Sequence, residues 1–423
     1  MSIRGEFEVV IVGGGAAGLM AAGVCAGRGL RTAVFDKNEK LGRKVRITGK
    51  GRCNVTNNCT VQEVVASAPR GGKFLYGALS SFSPEDTMRF FEERGVRLKT
   101  ERGRRVFPVS DDANEIAGAL ADFALNSGAE AVREPVLSVL TEGGRAAGVR
   151  TARGDYRAKA VLLACGGESY PGTGSNGDGF RLARSLGHTV TPIFPSLVPL
   201  VEQAGGCSPE LMGLSLKNCG IKVWKKGRKK PVYEDFGELL FTHFGLSGPT
   251  VLSASAHMHP MEPGNFTVSI DLKPALDLQK LDARLLRDFE KNKNRIFANS
   301  LDELLPRKLI PVAVERSGIP PETRCNEVTR EQRRAFCALL KDFRVEIQGF
   351  RPIGEAIVTS GGVSLKEIDP RTMESKLVKG LFVAGEMLDA DAYTGGYNLQ
   401  IAFSTGHLAG EQMCAETAPS GQD

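Results

Sequence analysis

The chain lacks the residue patterns that are typical of metal, disulfide and membrane proteins. Its nine cysteines include no C-x-x-C pair, and its five histidines form no H-E-x-x-H motif. These absences argue against a zinc site, a redox-active dithiol and a disulfide framework, so we expect no bound metal. No apolar run approaches the ~18 residues of a membrane span, and the amino-terminal residues form no signal-peptide pattern. Scattered cysteines fit reduced thiols, and the sequence therefore predicts a cytoplasmic protein with no membrane partner.

Neither sign of charge dominates the chain. Lysine and arginine number 55 against 49 aspartates and glutamates, which gives a net charge of +6. The one dense basic run, 225–230, lies between two strand-like segments and is predicted to be a solvated hairpin turn. Because aromatic residues do not alternate with basic ones along the sequence, we expect a small-molecule substrate and no nucleic-acid partner. The oligomeric state is not predicted.

Glycine, in contrast, is abundant, with 50 residues that fall in clusters. The first cluster reads Gly13-x-Gly15-x-x-Gly18 and lies between a strand-like run and a small-residue helical segment. The next strand-like run ends in Asp36. In dinucleotide-binding folds, such glycines permit a tight turn, approach of the backbone to a pyrophosphate and close helix packing, while the acid binds a ribose. The pattern predicts a dinucleotide site at the helix that starts at Ala16.

A second G-x-G-x-x-G, at 172–177, lacks this context. Pro171 precedes it, and no acid closes a strand about 20 residues later, so we predict a single dinucleotide. FAD fits better than NAD because distant glycine-rich segments can hold a long, extended cofactor. One such segment follows a buried strand that ends near Ala164. The other, 381–401, combines an acid, a glycine pair and the start of the last helix, whose positive end suits a reduced flavin.

The order of segments predicts an α/β fold with a discontinuous, Rossmann-like FAD-binding domain. Strand-like and helical segments alternate through residues 1–191, and strand-like segments return at 346–423. Between these parts, 192–274 has short alternating runs that indicate a β-rich insertion, and 275–345 has helical periodicity. Within the first part, 131–140 is predicted to be one strand.

Several segments together resemble one family. The signature segments of the bacterial HI0933-like (BaiN/YhiN) flavoproteins, often labelled aminoacetone oxidase family FAD-binding enzymes, are similar to LGRKVRITGKGRCNVTN, LLACGGESYPGTGSNGDGF, LLFTHFGLSGP and LDADAYTGGYNLQIAFSTG. The resemblance extends over nearly the whole chain. It implies an FAD domain that is interrupted by a β-barrel-like domain and a helical subdomain. Cys165 is one departure, since related flavoproteins usually carry Thr there.

The resemblance also implies cofactor contacts. FAD contacts are expected at Ala17, Asp36, Lys37, Arg43, Asn54, Val136, Glu386, Asn398 and Ile401. Neighbours on the same segments complete the predicted cofactor-binding set: Gly13, Gly15, Ala16, Gly18, Lys44, Gly51, Arg52, Cys53, Ala164, Gly166, Gly385, Gly396 and Leu399. Packing is the alternative role for Cys53, and ordinary helix capping is the alternative for Glu386 and Asn398.

No catalytic set stands out in the sequence. Tyr393 and Tyr397 flank a glycine pair and could donate a proton or form a pocket wall, while His243 could be catalytic or structural. We expect an FAD-dependent oxidoreductase that moves hydride between NAD(P)H, flavin and a small organic substrate. One branch of the family reduces C=C bonds of oxo-bile acids, which implies an unsaturated oxo compound. The alternatives are an RNA-modifying flavoenzyme and a flavin-binding sensor without turnover.

Overall fold

The computed structural model describes residues 3–417. The chain forms two compact units, of which the first contains residues 3–196 and 353–417 and the second contains residues 197–352. The first unit is therefore discontinuous in sequence. The finer division of the chain at residues 191, 274 and 345 stays a prediction.

Residues 3–417 form twenty strands and thirteen α-helices. The strands are β1 Ile3–Glu6, β2 Val9–Val12, β3 Thr32–Phe35, β4 Thr56–Asn57, β5 Leu98–Thr100, β6 Arg105–Pro108, β7 Glu130–Val132, β8 Ser138–Glu142, β9 Arg145–Thr151, β10 Gly154–Arg157, β11 Ala160–Leu163, β12 Phe194–Ser196, β13 Leu200–Glu202, β14 Ser215–Lys225, β15 Tyr233–Phe241, β16 Gly245–Ser247, β17 Phe266–Asp271, β18 Phe343–Phe350, β19 Val358–Ser360 and β20 Leu381–Val383. The α-helices are α1 Ala16–Gly27, α2 Arg43–Ile47, α3 Val61–Ala66, α4 Gly72–Ser81, α5 Pro84–Glu92, α6 Ala113–Asn126, α7 Asp178–Ser185, α8 Ser208–Leu211, α9 Pro249–Ser255, α10 Leu278–Lys291, α11 Ile310–Ser317, α12 Arg330–Lys341 and α13 Tyr397–Thr417.

The centre of the first unit is a five-stranded parallel sheet in the order β20-β11-β2-β3-β7. All residues of β2, β3, β11 and β20 are buried. Strands that are covered on both faces read as nearly continuous apolar runs, which is the pattern the sequence shows. Helix α1 packs against α6 and α13. This arrangement confirms the predicted α/β, Rossmann-like fold class.

The predicted strand over residues 131–140 is wrong. β7 ends at Val132 and belongs to the parallel sheet, whereas β8 begins at Ser138 and pairs with β9 in a separate four-stranded sheet. Pro135 lies between the two strands and has no N–H for a ladder hydrogen bond. The chain changes sheets here, and the predicted FAD contact Val136 is buried in the connection.

The second unit contains a closed antiparallel barrel in the order β13-β16-β15-β14-β17-β18. Ile221 and Val223 on β14 are buried, and Lys222 between them is exposed, as expected for a strand with one covered face. Residues 226–232 connect β14 to its antiparallel neighbour β15, so the basic run 225–230 lies at a hairpin turn as predicted. Helices α10, α11 and α12 belong to the same unit.

Residues 3–417 contain no membrane-spanning helix, no cluster of metal-ligating side chains and no disulfide. No helix in this range is both long and apolar enough to cross a membrane. No three His, Cys, Asp or Glu side chains in it are grouped so that they could hold a metal ion. All nine cysteines are free thiols.

Candidate functional site

Gly13 and Gly18 shape the turn between β2 and α1. Gly13 has a backbone φ of +109°, and a Cβ at this residue would lie 2.4 Å from the carbonyl oxygen of Ala164. A Cβ on Gly18 would lie 1.9 Å from the carbonyl oxygen of Gly13. Both positions therefore require glycine, and the turn brings the predicted site residue Ala164 beside the fingerprint.

Gly15 lies on the open side of this turn. Among residues 3–417, no atom outside Gly15 and its two neighbours in the chain lies within 4 Å of the position that a Cβ on Gly15 would take. Gly15 is the N-cap of α1, and no side chain caps that helix end. Uncapped helix N-termini offer N–H groups and a partial positive charge. Open space at such a helix end fits the pyrophosphate of a dinucleotide.

Asp36 joins the fingerprint turn to the end of β3. Its carboxylate accepts the N–H of Gly14 at 2.7 Å and the N–H of Asn38 at 2.7 Å. The acid therefore lies directly beside the turn, where the fingerprint requires a ribose-binding carboxylate. The next residue, Lys37, forms an ion pair with Asp178 at 2.6 Å.

A polar cluster joins four segments of the first unit that are distant in sequence. The ammonium of Lys44 lies 2.7 Å from one carboxylate oxygen of Glu386 and 2.7 Å from the hydroxyl oxygen of Ser169. The other oxygen of Glu386 accepts the Ser169 hydroxyl at 3.0 Å and the N–H of Thr359 at 2.8 Å. The structure thus brings together the predicted residues Lys44 and Glu386, and adds Ser169 and Thr359, which sequence analysis did not single out as cofactor-binding residues.

The charge of Glu386 is fixed by this cluster. Burial alone would raise the pKa of Glu386, but the Lys44 ammonium and the hydrogen bonds from Thr359 and Ser169 outweigh it and hold the pKa below its usual value of 4.5. The side chain is 20% exposed, so an ionised carboxylate remains accessible to a ligand. A Cβ on Gly166 would lie 4.0 Å from a Glu386 oxygen, which places this predicted residue at the same cluster.

The segment 54–57 contains two buried amide oxygens that have no partner. The Oδ1 atoms of Asn54 and Asn57 accept no hydrogen bond from any residue in the range 3–417. The Nδ2 of Asn57 donates to the carbonyl oxygen of Gly395 at 3.1 Å, and a Cβ on Gly396 would lie 2.4 Å from the Thr56 carbonyl. The predicted residues Asn54 and Gly396 therefore belong to adjoining segments. Two unused acceptors there fit a ligand that carries N–H groups.

Asn398 shapes the loop that precedes α13. Its Oδ1 accepts the N–H of Ala392 at 2.9 Å, and its Nδ2 donates to the Ala392 carbonyl at 2.7 Å. Ile401, one turn into the helix, is buried. The N–H of Gly385 donates to the hydroxyl of Thr405 at 2.9 Å, which holds the Gly385-Glu386 segment against α13.

Arg70 and Ser67 connect the segment 67–70 to the loop that precedes α13. The Arg70 guanidinium lies 2.9 Å from a carboxylate oxygen of Asp389. The N–H of Tyr393 donates to the carbonyl oxygen of Ser67 at 3.0 Å. The Arg70 side chain remains 38% exposed, so a held cation faces solvent next to the loop. Sequence analysis did not single out Arg70.

Asp391 is a buried carboxylate in the same loop. It accepts the hydroxyls of Ser196 at 2.8 Å and Ser360 at 3.0 Å. Burial raises the pKa of Asp391, and the two hydroxyls and the nearby Arg70 oppose that rise without cancelling it. Its partners lie far away in sequence, so local patterns carried no signal for this contact.

Several predicted residues occupy places that are more typical of structural roles. Arg52 donates to Glu101 at 2.5 Å and to Asp111 at 2.6 Å in a surface ion-pair cluster. Cys53 is fully buried, and burial raises its pKa to about 12, which agrees with the packing alternative. Arg43 is exposed and donates to the Asn38 side chain at 3.1 Å.

The three catalytic candidates are not brought together by one set of contacts. His243 belongs to the second unit, where its ring lies 4.9 Å from the Phe244 ring. Tyr397 begins α13, and a Cβ on Gly395 would lie 3.0 Å from its ring. Tyr393 is held in the loop before that helix. Their roles stay predictions.

The fold and the site together are those of a dinucleotide-binding protein of the flavoprotein class. The features that define this class are the parallel sheet, the open and uncapped glycine turn, the acid beside that turn and the second carboxylate cluster. The chain belongs to the HI0933-like protein Rossmann domain family, whose model matches residues 7–412. It is therefore an FAD-dependent oxidoreductase of that family, as the sequence predicted.

Two curated relatives align along nearly their whole length. The chain is 31% identical to the 3-dehydro-bile acid delta(4,6)-reductase of Clostridium scindens, over 95% of this chain and 98% of that protein. It is 30% identical to the ribosomal RNA dihydrouridine synthase of Escherichia coli, over 97% of this chain and 98% of that protein. Because one relative acts on RNA, the expected absence of a nucleic-acid partner stays untested.

A solved structure shows the same fold at low identity. The 3-ketosteroid delta1-dehydrogenase of Sterolibacterium denitrificans aligns with a TM-score of 0.54 at 14% identity, over 97% of this chain and 99% of that one. At this identity the likeness concerns the fold alone.

Proposed function

We propose that this protein uses NAD(P)H to reduce a C=C bond that is conjugated to a carbonyl group. The observation that carries the proposal is a reaction shared by the two full-length relatives, whose substrates differ. A bile acid with a 3-oxo group and unsaturation at positions 4 and 6 is a conjugated ketone, and the uracil bond that becomes saturated in dihydrouridine is conjugated to a ring carbonyl. The common element is the polarised double bond.

The residues of the first unit fit FAD as the resident cofactor. The open space at Gly15 would take the pyrophosphate, and Asp36 would hold the adenosine ribose. The ionised Glu386 suits the ribityl hydroxyls, and the unused Oδ1 of Asn54 is an acceptor for an N–H of the flavin ring. Bound FAD supplies a carrier that takes two electrons from NAD(P)H and delivers them to the substrate.

The reaction defines what the remaining residues must do. Saturation of the double bond adds a hydride to the carbon β to the carbonyl and a proton to the α carbon, while NAD(P)H becomes NAD(P)⁺. Negative charge develops on the carbonyl oxygen between these two additions, so a fixed cation or N–H donor beside that oxygen accelerates the reaction. Arg70, which Asp389 holds in place, is our candidate for this group, and Tyr393 and Tyr397 remain the candidate proton donors.

Anaerobic half-reactions test the proposal. FAD-loaded protein should lose its flavin absorbance on addition of NADH or NADPH and regain it on addition of a 3-oxo-Δ4 steroid or uridine, with a product heavier by two hydrogens. A saturated 3-oxo steroid is the matched control and should not reoxidise the protein. Gly15→Val fills the open side of the turn and should yield flavin-free protein.

Two outcomes would contradict the proposal. If neither nicotinamide reduces the bound flavin, the proposed use of NAD(P)H is wrong, and a flavin-binding sensor becomes the favoured alternative. If the saturated ketone reoxidises the flavin as fast as the conjugated one, the reaction is carbonyl reduction.

A further inference from the structure

Helices α1 and α13 pack side by side and run in the same direction. A Cβ on Gly406 would lie 2.3 Å from the carbonyl oxygen of Ala17, and a Cβ on Gly410 would lie 3.1 Å from the carbonyl oxygen of Ala21. A step of four residues, about one turn, along one helix therefore matches the same step along the other. The two backbones stay close because glycine and alanine have small side chains.

The next matching step brings two cysteines together. It leads from Ala21 to Cys25 on α1 and from Gly410 to Cys414 on α13. The Sγ of Cys25 lies 3.5 Å from the carbonyl oxygen of Gly410. Helical side chains lean towards the N-terminus of their helix, so the side chain of Cys414 points back over the same turn. The two thiols are hydrogen-bonded to each other.

Cys414 is the more reactive of the two thiols. Its hydrogen bond with Cys25 and the nearby guanidinium of Arg28 lower its pKa, against the opposing effect of burial. The Glu411 carboxylate also opposes this fall, but it is itself paired with Arg28. The same hydrogen bond, together with burial, raises the pKa of Cys25 well above its usual value. Cys25 is completely buried, whereas Cys414 is 9% exposed, so an oxidant in solvent meets Cys414 first.

We propose that peroxide converts Cys25 and Cys414 into a reversible disulfide that links α1 to α13. Hydrogen peroxide oxidises the Cys414 thiolate to a sulfenic acid and is reduced to hydroxide. The Cys25 thiol then attacks that sulfur, the S–S bond forms, and the sulfenic hydroxyl leaves as water with the Cys25 proton. No C-x-x-C spacing marks this pair in the sequence, because its cysteines belong to the first and the last helix.

The disulfide would fix the first unit at both ends of the sequence. Helix α1 starts at the fingerprint turn, and α13 follows the loop that contains Gly395 and Gly396. Since the cross-link spans nearly the whole chain, it restricts the unfolded chain much more than the folded one. The oxidised protein should therefore unfold, and release FAD, at a higher urea concentration than the reduced protein.

Tryptic peptides identify the disulfide directly. Trypsin leaves Cys25 in peptide 5–28 and Cys414 in peptide 380–423, and neither peptide contains another cysteine. The FAD-loaded protein is treated with hydrogen peroxide, and its free thiols are blocked with iodoacetamide in urea before digestion. Mass spectrometry should find these two peptides linked, and the thiol count of the chain should fall by two from nine. Dithiothreitol should reverse both changes.

Single variants separate the two steps. In Cys25→Ala the sulfenic acid has no resolving thiol, so dimedone should label Cys414 after peroxide treatment. In Cys414→Ala, Cys25 should remain unlabelled. Cys59→Ala is the control, because it removes a more exposed thiol of the same unit and should still give the linked peptides. Oxidation should raise the urea midpoint of the wild type and of this control, and leave the midpoints of the other two variants unchanged.

Several outcomes would overturn the inference. It is wrong if the linked peptides are absent from the peroxide-treated wild type, or if peroxide joins Cys25 or Cys414 to another cysteine instead. Linked peptides that occur only in covalent dimers on non-reducing gels would join two chains and would also contradict it. The same holds if oxidation raises the urea midpoint of Cys414→Ala as much as that of the wild type. The disulfide does not depend on the substrate, so a failure to reduce conjugated double bonds would count against the proposed function alone.

Discussion

Because the space beside Gly15 is open, we predict that Gly15→Ala has little effect on the stability of the FAD-free protein but a large effect on FAD binding. The backbone φ of −89° and ψ of −165° at Gly15 are allowed for alanine, and within residues 3–417 only the two adjoining residues could have atoms within 4 Å of the new methyl group. Reduced freedom of the unfolded chain favours alanine by about 0.4–1 kcal/mol, and the weaker N-cap preference of alanine offsets this gain. The free energy of unfolding of the FAD-free protein should therefore change by less than about 1 kcal/mol.

FAD binding should respond very differently to the same methyl group. The methyl occupies the space in which a pyrophosphate would approach the N–H groups of α1. Loss of one charge-assisted hydrogen bond costs about 1.5–3 kcal/mol, which corresponds to a dissociation constant that is roughly 10- to 150-fold larger. Isothermal titration of the FAD-free protein measures the dissociation constant, and urea unfolding measures the stability. FAD affinity equal to the wild type would refute the placement of the pyrophosphate at this turn.

Gly18→Ala is the matched control, three residues away. Its Cβ would lie 1.9 Å from the Gly13 carbonyl oxygen, so the backbone must move. Overpacking of this kind costs about 1–3 kcal/mol, against a gain of at most ~1 kcal/mol in helix propensity. This variant should lose stability even without FAD. Equal stability losses in both variants would mean that the open space at Gly15 is not a property of the folded protein.

Three further predictions concern titratable groups. Lys44→Met should lower the free energy of unfolding at pH 7 by about 1–3 kcal/mol, because it leaves the Glu386 carboxylate without its cation. Folding lowers the pKa of Glu386, so this pair stabilises the folded protein above the unfolded pKa of 4.5, and the stabilisation disappears as the pH falls through the folded pKa. In urea titrations at different pH values, the free energy of unfolding of Lys44→Met should therefore depend less on pH in this range than that of the wild type. The pKa of Asp391 is raised by burial, so its ionisation costs stability as the pH rises through the folded pKa. The free energy of unfolding of Asp391→Asn, relative to that of the wild type, should therefore increase as the pH rises from 4 to 7. Asp391→Ala deprives the Ser196 hydroxyl of its acceptor, so this variant should be less stable than the wild type at pH 4 and at pH 7. Cys53, with a pKa raised to about 12, should resist an aromatic disulfide reagent at pH 8 in the folded protein and react after unfolding in urea, and rapid labelling of native Cys53 would contradict its buried position.

The parts of the fold that were predictable from the sequence depend on short-range patterns. The fingerprint turn, with Gly13 and Gly18 in strained or crowded positions, is specified within a few residues, and Asp36 follows after one helix and one strand. The buried parallel strands have nearly continuous apolar runs that need no knowledge of their neighbours. These features were therefore visible without coordinates.

The parts that were missed depend on which segments meet. Ser169 and Thr359 contact Glu386 only because the chain returns to the sheet after the second unit. Asp391 likewise accepts the hydroxyls of Ser196 and Ser360 because β12 and β19 pair in an antiparallel ladder, and sequence spacing alone does not fix the register of two strands that lie so far apart in the chain.

The return of the chain also explains why the proposed cofactor site includes residues from both ends of the sequence. A Cβ on Gly406 of α13 would lie 2.3 Å from the Ala17 carbonyl oxygen of α1, and a Cβ on Gly410 would lie 3.1 Å from the Ala21 carbonyl oxygen. Such close backbone contact is possible only between small residues on both helices. Helix α1, which begins at the fingerprint turn, is therefore packed against α13, the helix that follows Glu386 in the chain. Since β20 also lies next to β11 in the parallel sheet, residues 353–417 contribute to both the core around the fingerprint turn and the carboxylate cluster, and we expect residues 3–196 alone to bind FAD less tightly than the whole chain.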